Sequence, residues 1–388
     1  MVGGNRPAAA GAAGKRNPDR WRQRALFGLL AALTLLLANA RPRPAQAEPE
    51  RLVLAFYYAW FDKKTWASGT VPDVPLLPYN SDDPEAMARH IEQAQAAGID
   101  ALVLNWYGKA NRTDKNLKTL LDLAAGKGLR VAVDADLANS PVVHGLAGYE
   151  EQLRYLHQVH AAHPAYLRSG GRPVVFFYHV SALPVSTWRS LRDRVDPERK
   201  ALWIAEGTDE KYLAVFDGHH LYSITWPNRI PPAQTLSKWG DRVRAYNREH
   251  GTAKLWVATV MPGYDDRKVR PKGGFARARE GGAYYRQCWQ AAVDSRPQWV
   301  IVNSFNEWPE GSYIEPSQAY GRLYLDLTRE WADRFRAAQF QNQAAPAPRS
   351  APTGPAPTPV PPAPTPVPPT PTPPPATPDP KRPWFQPI

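Results

Sequence analysis

The chain of 388 residues contains one cysteine, Cys288, so no intramolecular disulfide can form. A domain of this size buries enough core to fold without one. Cys288 lies in an apolar-patterned stretch, 284–293, where a small buried hydrophobe is expected. The nine histidines are scattered and no Cys/His spacing resembles a zinc site, so neither a metal nor a cofactor is expected. The leading apolar stretch, Ala25 to Ala38, has 14 residues, fewer than the roughly 20 a spanning helix needs. No glycine-rich phosphate turn follows the first apolar run of the main domain, where Tyr57-Tyr58-Ala59-Trp60-Phe61 stands instead. An open, doubly wound dinucleotide-binding sheet is disfavoured for that reason. Concentrated basic surface is scarce as well. Of the formal +12 charge, eight Lys/Arg against one Asp fall in residues 1–47 and three against one in 341–388, leaving +3 for 48–340. That balance excludes an electrostatic footprint for nucleic acid.

The ends of the chain differ from its middle. Arg20, Arg22 and Arg24 precede the short apolar stretch, and Ala45-Gln46-Ala47 has the small-x-small form of a cleavage site. Residues 1–47 therefore read as a secretory signal cut after Ala47, with an uncleaved anchor as the alternative, and the protein is expected to be secreted or at the cell surface. Between 344 and 380 the chain carries 18 of its 42 prolines, mixed with Ala and Thr. Such a segment cannot build a core, so residues 341–388 are expected to be a disordered, polyproline-like spacer. Either end could tether the protein to a membrane or wall. The Pro-x-x-Pro spacings of the tail would also suit a scaffold, but they are inevitable at this proline density. No heptad or repeat signals assembly, and a monomer is expected.

Within 48–340, apolar runs alternate with amphipathic stretches. The runs are 52–58, 101–106, 130–135, 173–177, 201–205, 221–224, 254–260 and 299–303, and each is followed by a helical pattern. Asp83 before Pro84 is an N-cap with proline at the first helical position. Gly98 and Gly128 follow helix ends. Eight strand–helix units predict one α/β domain, a closed (β/α)8 TIM barrel, a fold that takes about 250 residues plus insertions.

Chemistry in such a barrel belongs at the carboxyl ends of the strands. Those ends carry Tyr58 and Trp60; Asn105, Trp106 and Tyr107; Asp134 and Asp136; Tyr178 and His179; Glu206; Trp226; Tyr264; and Asn306, Glu307, Trp308 and Glu310. Aromatic faces stack on pyranose rings, while carboxylates and amides take hydroxyl groups, so this is a sugar-binding inventory. The last run feeds into Asn303-Ser304-Phe305-Asn306-Glu307-Trp308-Pro309-Glu310-Gly311. Pro309 keeps Trp308 out of helical geometry, so Glu307 and Glu310 converge from a tight loop. Paired carboxylates supply the proton donor and acceptor that glycosidic cleavage requires, and Phe305 and Trp308 are expected to provide an apolar, sugar-stacking surround. The competing reading is a non-catalytic carbohydrate-binding protein, which would have no need of the glutamate pair.

Asn306-Glu307-Trp308-x-Glu310-Gly311 with Tyr313-Ile314-Glu315-Pro316 resembles the hallmark segment of glycoside hydrolase family 99, the endo-α-mannosidases. Pro262-Gly263-Tyr264-Asp265-Asp266 with Arg270-Pro271, Tyr57-Tyr58-x-Trp60, and Asn105-Trp106-Tyr107-Gly108 resemble further segments of that family, in order along residues 51–335. The resemblance implies a metal-free retaining barrel enzyme acting on mannose-containing poly- or oligosaccharides. It also implies that Glu307 deprotonates the substrate's own 2-hydroxyl to form a 1,2-anhydro sugar. Glu310 would protonate the leaving oxygen and later activate water, with Tyr264 against the carboxylates. The chain departs from the family pattern at Pro309, where many members have His, and at Asp134 and Asp136, where a glutamate is expected. Another bacterial surface polysaccharide is therefore the alternative substrate.

Overall fold

The computed structural model describes residues 50–226 and 230–338. The leader and the proline-rich tail lie outside the described residues. Eight strands form the barrel: β1 (Leu52–Tyr57), β2 (Ala101–Trp106), β3 (Arg130–Ala135), β4 (Arg172–Phe177), β5 (Leu202–Glu206), β6 (Gly218–His220), β7 (Leu255–Val260) and β8 (Trp299–Val302), with the short Arg168–Ser169 strand antiparallel to β4. Their order is β3-β2-β1-β8-β7-β6-β5-β4, and a further β3–β4 pairing closes the ring. Every pairing around it is parallel. The expected TIM barrel is therefore observed.

Parallel strands of a closed barrel are buried on both faces, and period two sorts their side chains. Leu52, Leu54, Phe56, Ala101, Val103, Phe176 and Ile301 belong to the interior cluster, which contains no residue of the surrounding helices. Val53, Ala55, Leu102, Leu104 and Trp106 belong instead to the cluster shared with those helices. The helices are α1 (Pro84–Ala96), α2 (Arg112–Lys127), α3 (Gly145–Tyr155, prolonged by a π turn to His160), α4 (Val185–Val195), α5 (Pro232–His250), α6 (Ala283–Asp294) and α7 (Leu323–Ala337). Asp83 caps α1 by accepting the Glu85 N–H, as its sequence predicts, and Gly128 closes α2 in the left-handed conformation. Cys288 is buried in α6.

One strand is misplaced by the sequence reading. The sixth is Gly218–His220 and not 221–224. Two adjacent histidines look like loop, yet both are at most 1% exposed. His220 packs against Phe56 and Phe176, and His219 stacks on Trp239 and Trp256. Burial disfavours the charged rings, pulling His219 down to about 4 and His220, beside it, to about 3. Gly218 is required by space, since a Cβ there would come within 2.8 Å of Ile204 and 2.9 Å of Leu255. The three-residue shift puts Tyr222 beyond the strand, on the face where sites are built.

Candidate active site

After β8 the chain enters a loop in which every residue from Asn303 to Ser317 is buried. Hydrogen bonds along the backbone fold it tightly: Ile314 N–H donates to the carbonyls of Ser304 and Phe305, and Gly311 N–H to that of Trp308. Gly311 sits at φ +60°, and a Cβ there would lie 3.0 Å from the Asp265 backbone nitrogen. Glycine thus lets the loop run against the segment after β7, where Asp265 N–H donates to the Glu310 carbonyl at 2.8 Å.

This loop brings both glutamates to the barrel mouth. Glu307 is 1% and Glu310 4% exposed. Glu310 accepts from Arg270 at 3.0 Å on one oxygen and from the Tyr222 hydroxyl at 3.2 Å on the other. Arg270 also donates to Asp266 at 2.7 Å and to the Tyr264 hydroxyl at 3.0 Å. Tyr264 is therefore tied to Glu310 through the guanidinium and stacks on Phe275. Neither carboxylate oxygen of Glu307 has a hydrogen-bond partner among the described residues. Burial and the adjacent Glu310 charge raise Glu307 well above the ordinary carboxylate range, with Arg270 opposing. Burial raises Glu310 too, but Arg270 and the Tyr222 hydroxyl pull it back toward ionisation.

The neighbouring strand ends contribute more unspent groups. The Asn105 amide N–H donates to Asp134 Oδ2 at 3.2 Å, leaving Asn105 Oδ1 and Asp134 Oδ1 buried without a partner among the described residues. Burial and Asp136 push Asp134 up, while burial lifts Asp136 to about 7 against an Asn139 hydrogen bond. Glu206 also rises to about 7 through burial, opposed by backbone N–H donors that include His179. Buried unpaired acceptors are costly in a folded protein, so this concentration marks a place built for hydroxyl donors. Beside it is a cavity of about 310 Å³ lined by Tyr178, His179, Glu206, Asp209, Tyr212 and Trp226. Trp60 and Tyr107 stack with centroids 5.7 Å apart, and Tyr58 contacts Trp60 and donates to or accepts from Tyr222 at 2.9 Å.

Three of the sequence-nominated residues serve a different purpose. Trp106 follows the outward register of β2 and donates its indole N–H to Asp114 of α2, stacked on Tyr155. Trp308 is wholly buried, stacks on Tyr313 at 3.9 Å and donates to Glu315, so it and the equally buried Phe305 lie beneath the loop and not in the cleft. Asn306 spends its amide on the backbone N–H and carbonyl of Tyr58, at 2.8 and 2.9 Å, and on the Tyr79 hydroxyl. Conversely, Tyr222 and Arg270 were not nominated. A misplaced strand hid Tyr222. The signal for Arg270 is physical: two buried carboxylates need a nearby cation.

Comparison with known proteins agrees with this geometry. Residues 63–337 match the model of glycosyl hydrolase family 99. The mouse glycoprotein endo-alpha-1,2-mannosidase-like protein is 30% identical over 340 aligned positions, covering 77% of this chain and 69% of the relative. The mouse glycoprotein endo-alpha-1,2-mannosidase is 26% identical, covering 66% of this chain and 62% of its own length. Among solved structures, the family 99 endo-alpha-mannosidase from Bacteroides thetaiotaomicron, in complex with bis-tris-propane, superposes with a TM-score of 0.65. It is 27% identical, and the alignment covers 74% of this chain and 97% of that one. With the family match spanning the helices and seven of the eight strands, and the same barrel found in an experimentally solved member, the chain belongs to glycosyl hydrolase family 99 and is an endo-α-mannosidase-like glycoside hydrolase.

Proposed function

We propose that the protein is an exported retaining hydrolase of α-linked, mannose-containing glycans, with Glu307 and Glu310 as its reactive pair. The observation that carries this reading is the placement of two buried carboxylates, three residues apart on one loop, with Arg270 donating to the second. The relatives' names support mannose as the sugar, and the basic, apolar and small-residue sequence of 1–47 supports export.

The resemblance assigns the steps. Glu307 takes the proton of the substrate's 2-hydroxyl as that oxygen bonds to the anomeric carbon and closes a 1,2-anhydro sugar. The glycosidic C–O bond breaks, and the Glu310 proton goes to the departing oxygen. Water then adds to the anomeric carbon, giving its proton to Glu310, while Glu307 returns a proton to the 2-oxygen. One proton shared by the pair suffices throughout. In the free protein Arg270 and Tyr222 favour charge on Glu310 over charge on Glu307, so substrate must shift the proton toward Glu310. A hydroxyl donating to Glu307 favours its ionised form, and Arg270 keeps Asp266 as a partner meanwhile. Asn105, Asp134 and Glu206 offer the acceptors that orient the ring, and the Tyr178–Trp226 cavity takes an adjoining part of the glycan.

The test is reducing-sugar release from yeast α-mannan by the full chain beside Glu307→Gln and Glu310→Gln. Release by the wild type and a loss of about 10²–10⁴-fold in each variant is expected. Activity that survived both substitutions would sink the assignment.

A further inference from the structure

The carboxylate of Glu307 has no hydrogen-bond partner among the described residues, so its aim is set by what holds the backbone on either side. Both flanking side chains lead to one buried residue. Trp308, just after it, donates its indole N–H to Glu315 Oε2 at 3.0 Å. Asn306, just before it, donates to the Tyr79 hydroxyl at 3.2 Å, and that hydroxyl donates to the same Oε2 at 3.0 Å. The other oxygen, Oε1, lies 3.0 Å from His90 Nε2, and His90 Nδ1 is hydrogen-bonded to the Tyr57 hydroxyl at 3.0 Å. The Glu315 backbone N–H donates to the Phe305 carbonyl at 2.8 Å, and the Phe305 ring packs on Tyr57 and His90. Glu315 is 5% exposed, and His90, Tyr79, Asn306 and Trp308 are no more than 2% exposed.

We propose that Glu315 is the positioning residue of the catalytic loop, a buried acceptor that fixes Asn306 and Trp308 and so aims Glu307. The proposal rests on Glu307 being reactive, as argued above. Stability alone is a poor reason for such a group. Taking a carboxylate out of water costs several kcal/mol, and well-packed apolar replacements of buried polar clusters are often neutral or stabilising. What an apolar cluster cannot do is impose direction. Oε2 accepts at set angles from an indole and a phenol, Oε1 faces an imidazole nitrogen, and the three groups come from the loop, from the segment after β1 and from α1. The loop is thereby referenced to the first strand–helix unit, whose Tyr58 backbone Asn306 also grips and whose Tyr58 hydroxyl reaches the Glu310 partner Tyr222. Both carboxylates then share one frame.

Glu315→Gln keeps volume but removes the charge from the acceptor and replaces one oxygen with a donor, so the indole and phenol bonds weaken and the His90 contact must be remade with the other imidazole tautomer. With the full chain and the substrate the wild type hydrolyses, the variant is expected to fold and keep KM within about twofold, yet lose about 10²-fold in kcat, the cost of misplacing a reacting group by roughly 1 Å. The acid limb of its kcat–pH profile moves, because the spacing of the pair changes. Tyr79→Phe removes the hydroxyl link alone and is expected to lose about tenfold in kcat; the double variant falls no further than Glu315→Gln, since both cut one chain of contacts. Wild-type kcat and pH profile in Glu315→Gln, or losses that multiply independently, overturn the proposal. Should Glu315→Gln fail to fold, Tyr79→Phe decides, and a wild-type kcat there overturns it. Glu307→Gln is the control. If it is inactive while Glu315→Gln is normal, only this inference falls; if it is active, the reading of the site falls with it.

Discussion

Glu310 accepts hydrogen bonds from a guanidinium and a phenol, whereas Glu307, three residues earlier on the same loop, accepts none. Both are buried to the same degree, so burial does not separate them. The partners do. Arg270 and Tyr222 stabilise charge on Glu310, and that charge in turn disfavours a second one on Glu307. Two carboxylates with unequal surroundings titrate as a pair, one proton leaving well before the other. The asymmetry favours the proton on Glu307 over Glu310 in the free protein, and an acid–base pair needs its two members to differ in this way. It also leaves Glu307 open to a sugar hydroxyl, because no donor among the described residues competes for it.

The sharpest break of this comparison separates the two roles. A substrate with a leaving group that departs without a proton, such as a glycosyl fluoride, bypasses the acid but not the base. Glu310→Gln is expected to recover at least about 10²-fold of its loss on that substrate, whereas Glu307→Gln stays down by up to about 10⁴-fold on both. Initial rates of the two variants on the fluoride and on mannan settle it. The opposite pattern would assign the acid to Glu307, the member of the pair whose surroundings favour the proton more.

Removing the source of the asymmetry comes next. Arg270→Gln leaves both carboxylates without their cation, and Arg270 lowers each of them. Their affinity for protons must therefore rise. Activity that needs an ionised carboxylate is then lost at a higher pH, so the acid limb of kcat/KM moves upward. A loss of about 10²–10³-fold at neutral pH is expected, the cost of stripping a buried charge of its partner. An unshifted limb would show that Arg270 does not govern the pair.

Much of this was legible in the sequence. The barrel followed from eight apolar runs, and their ends named the Glu307–Glu310 loop, the Asp134–Asn105 pair and four residues of the neighbouring cavity, Tyr178, His179, Glu206 and Trp226. What failed did so for identifiable reasons. Direction on a strand follows strict alternation, so Asn105 faces the mouth and Trp106 cannot; aromatic character alone does not show this. Trp308 and Asn306 have sugar-binding chemistry, but their hydrogen bonds are used within the fold, and hydrogen-bond spending is not written in one dimension. His219 and His220 look solvated and are core, which displaced the sixth strand and hid Tyr222. Partners from distant segments, such as Arg270 for Glu310 and Glu315 for Trp308, are set by closure of the barrel and have no local pattern.

The smallest expected effect sharpens the contrast from the Tyr222 side. Its hydroxyl donates to Glu310 at 3.2 Å and is hydrogen-bonded to Tyr58 at 2.9 Å, making a short relay from β1 to the carboxylate. A hydrogen bond to a charged group contributes about 1.5–3 kcal/mol, and here the 3.2 Å length places it at the weak end, so Tyr222→Phe is expected to lower kcat/KM about tenfold. Glu310 becomes somewhat harder to ionise, and the acid limb moves up, but less than in Arg270→Gln. Tyr58→Phe cuts the relay one step further away and leaves the donation to Glu310 intact, so its loss is smaller still. If the two tyrosines act as one chain, the double variant falls no lower than Tyr222→Phe alone. Losses that multiply would mean that each hydroxyl meets the substrate by itself, and that Glu310 owes its difference from Glu307 to Arg270 alone.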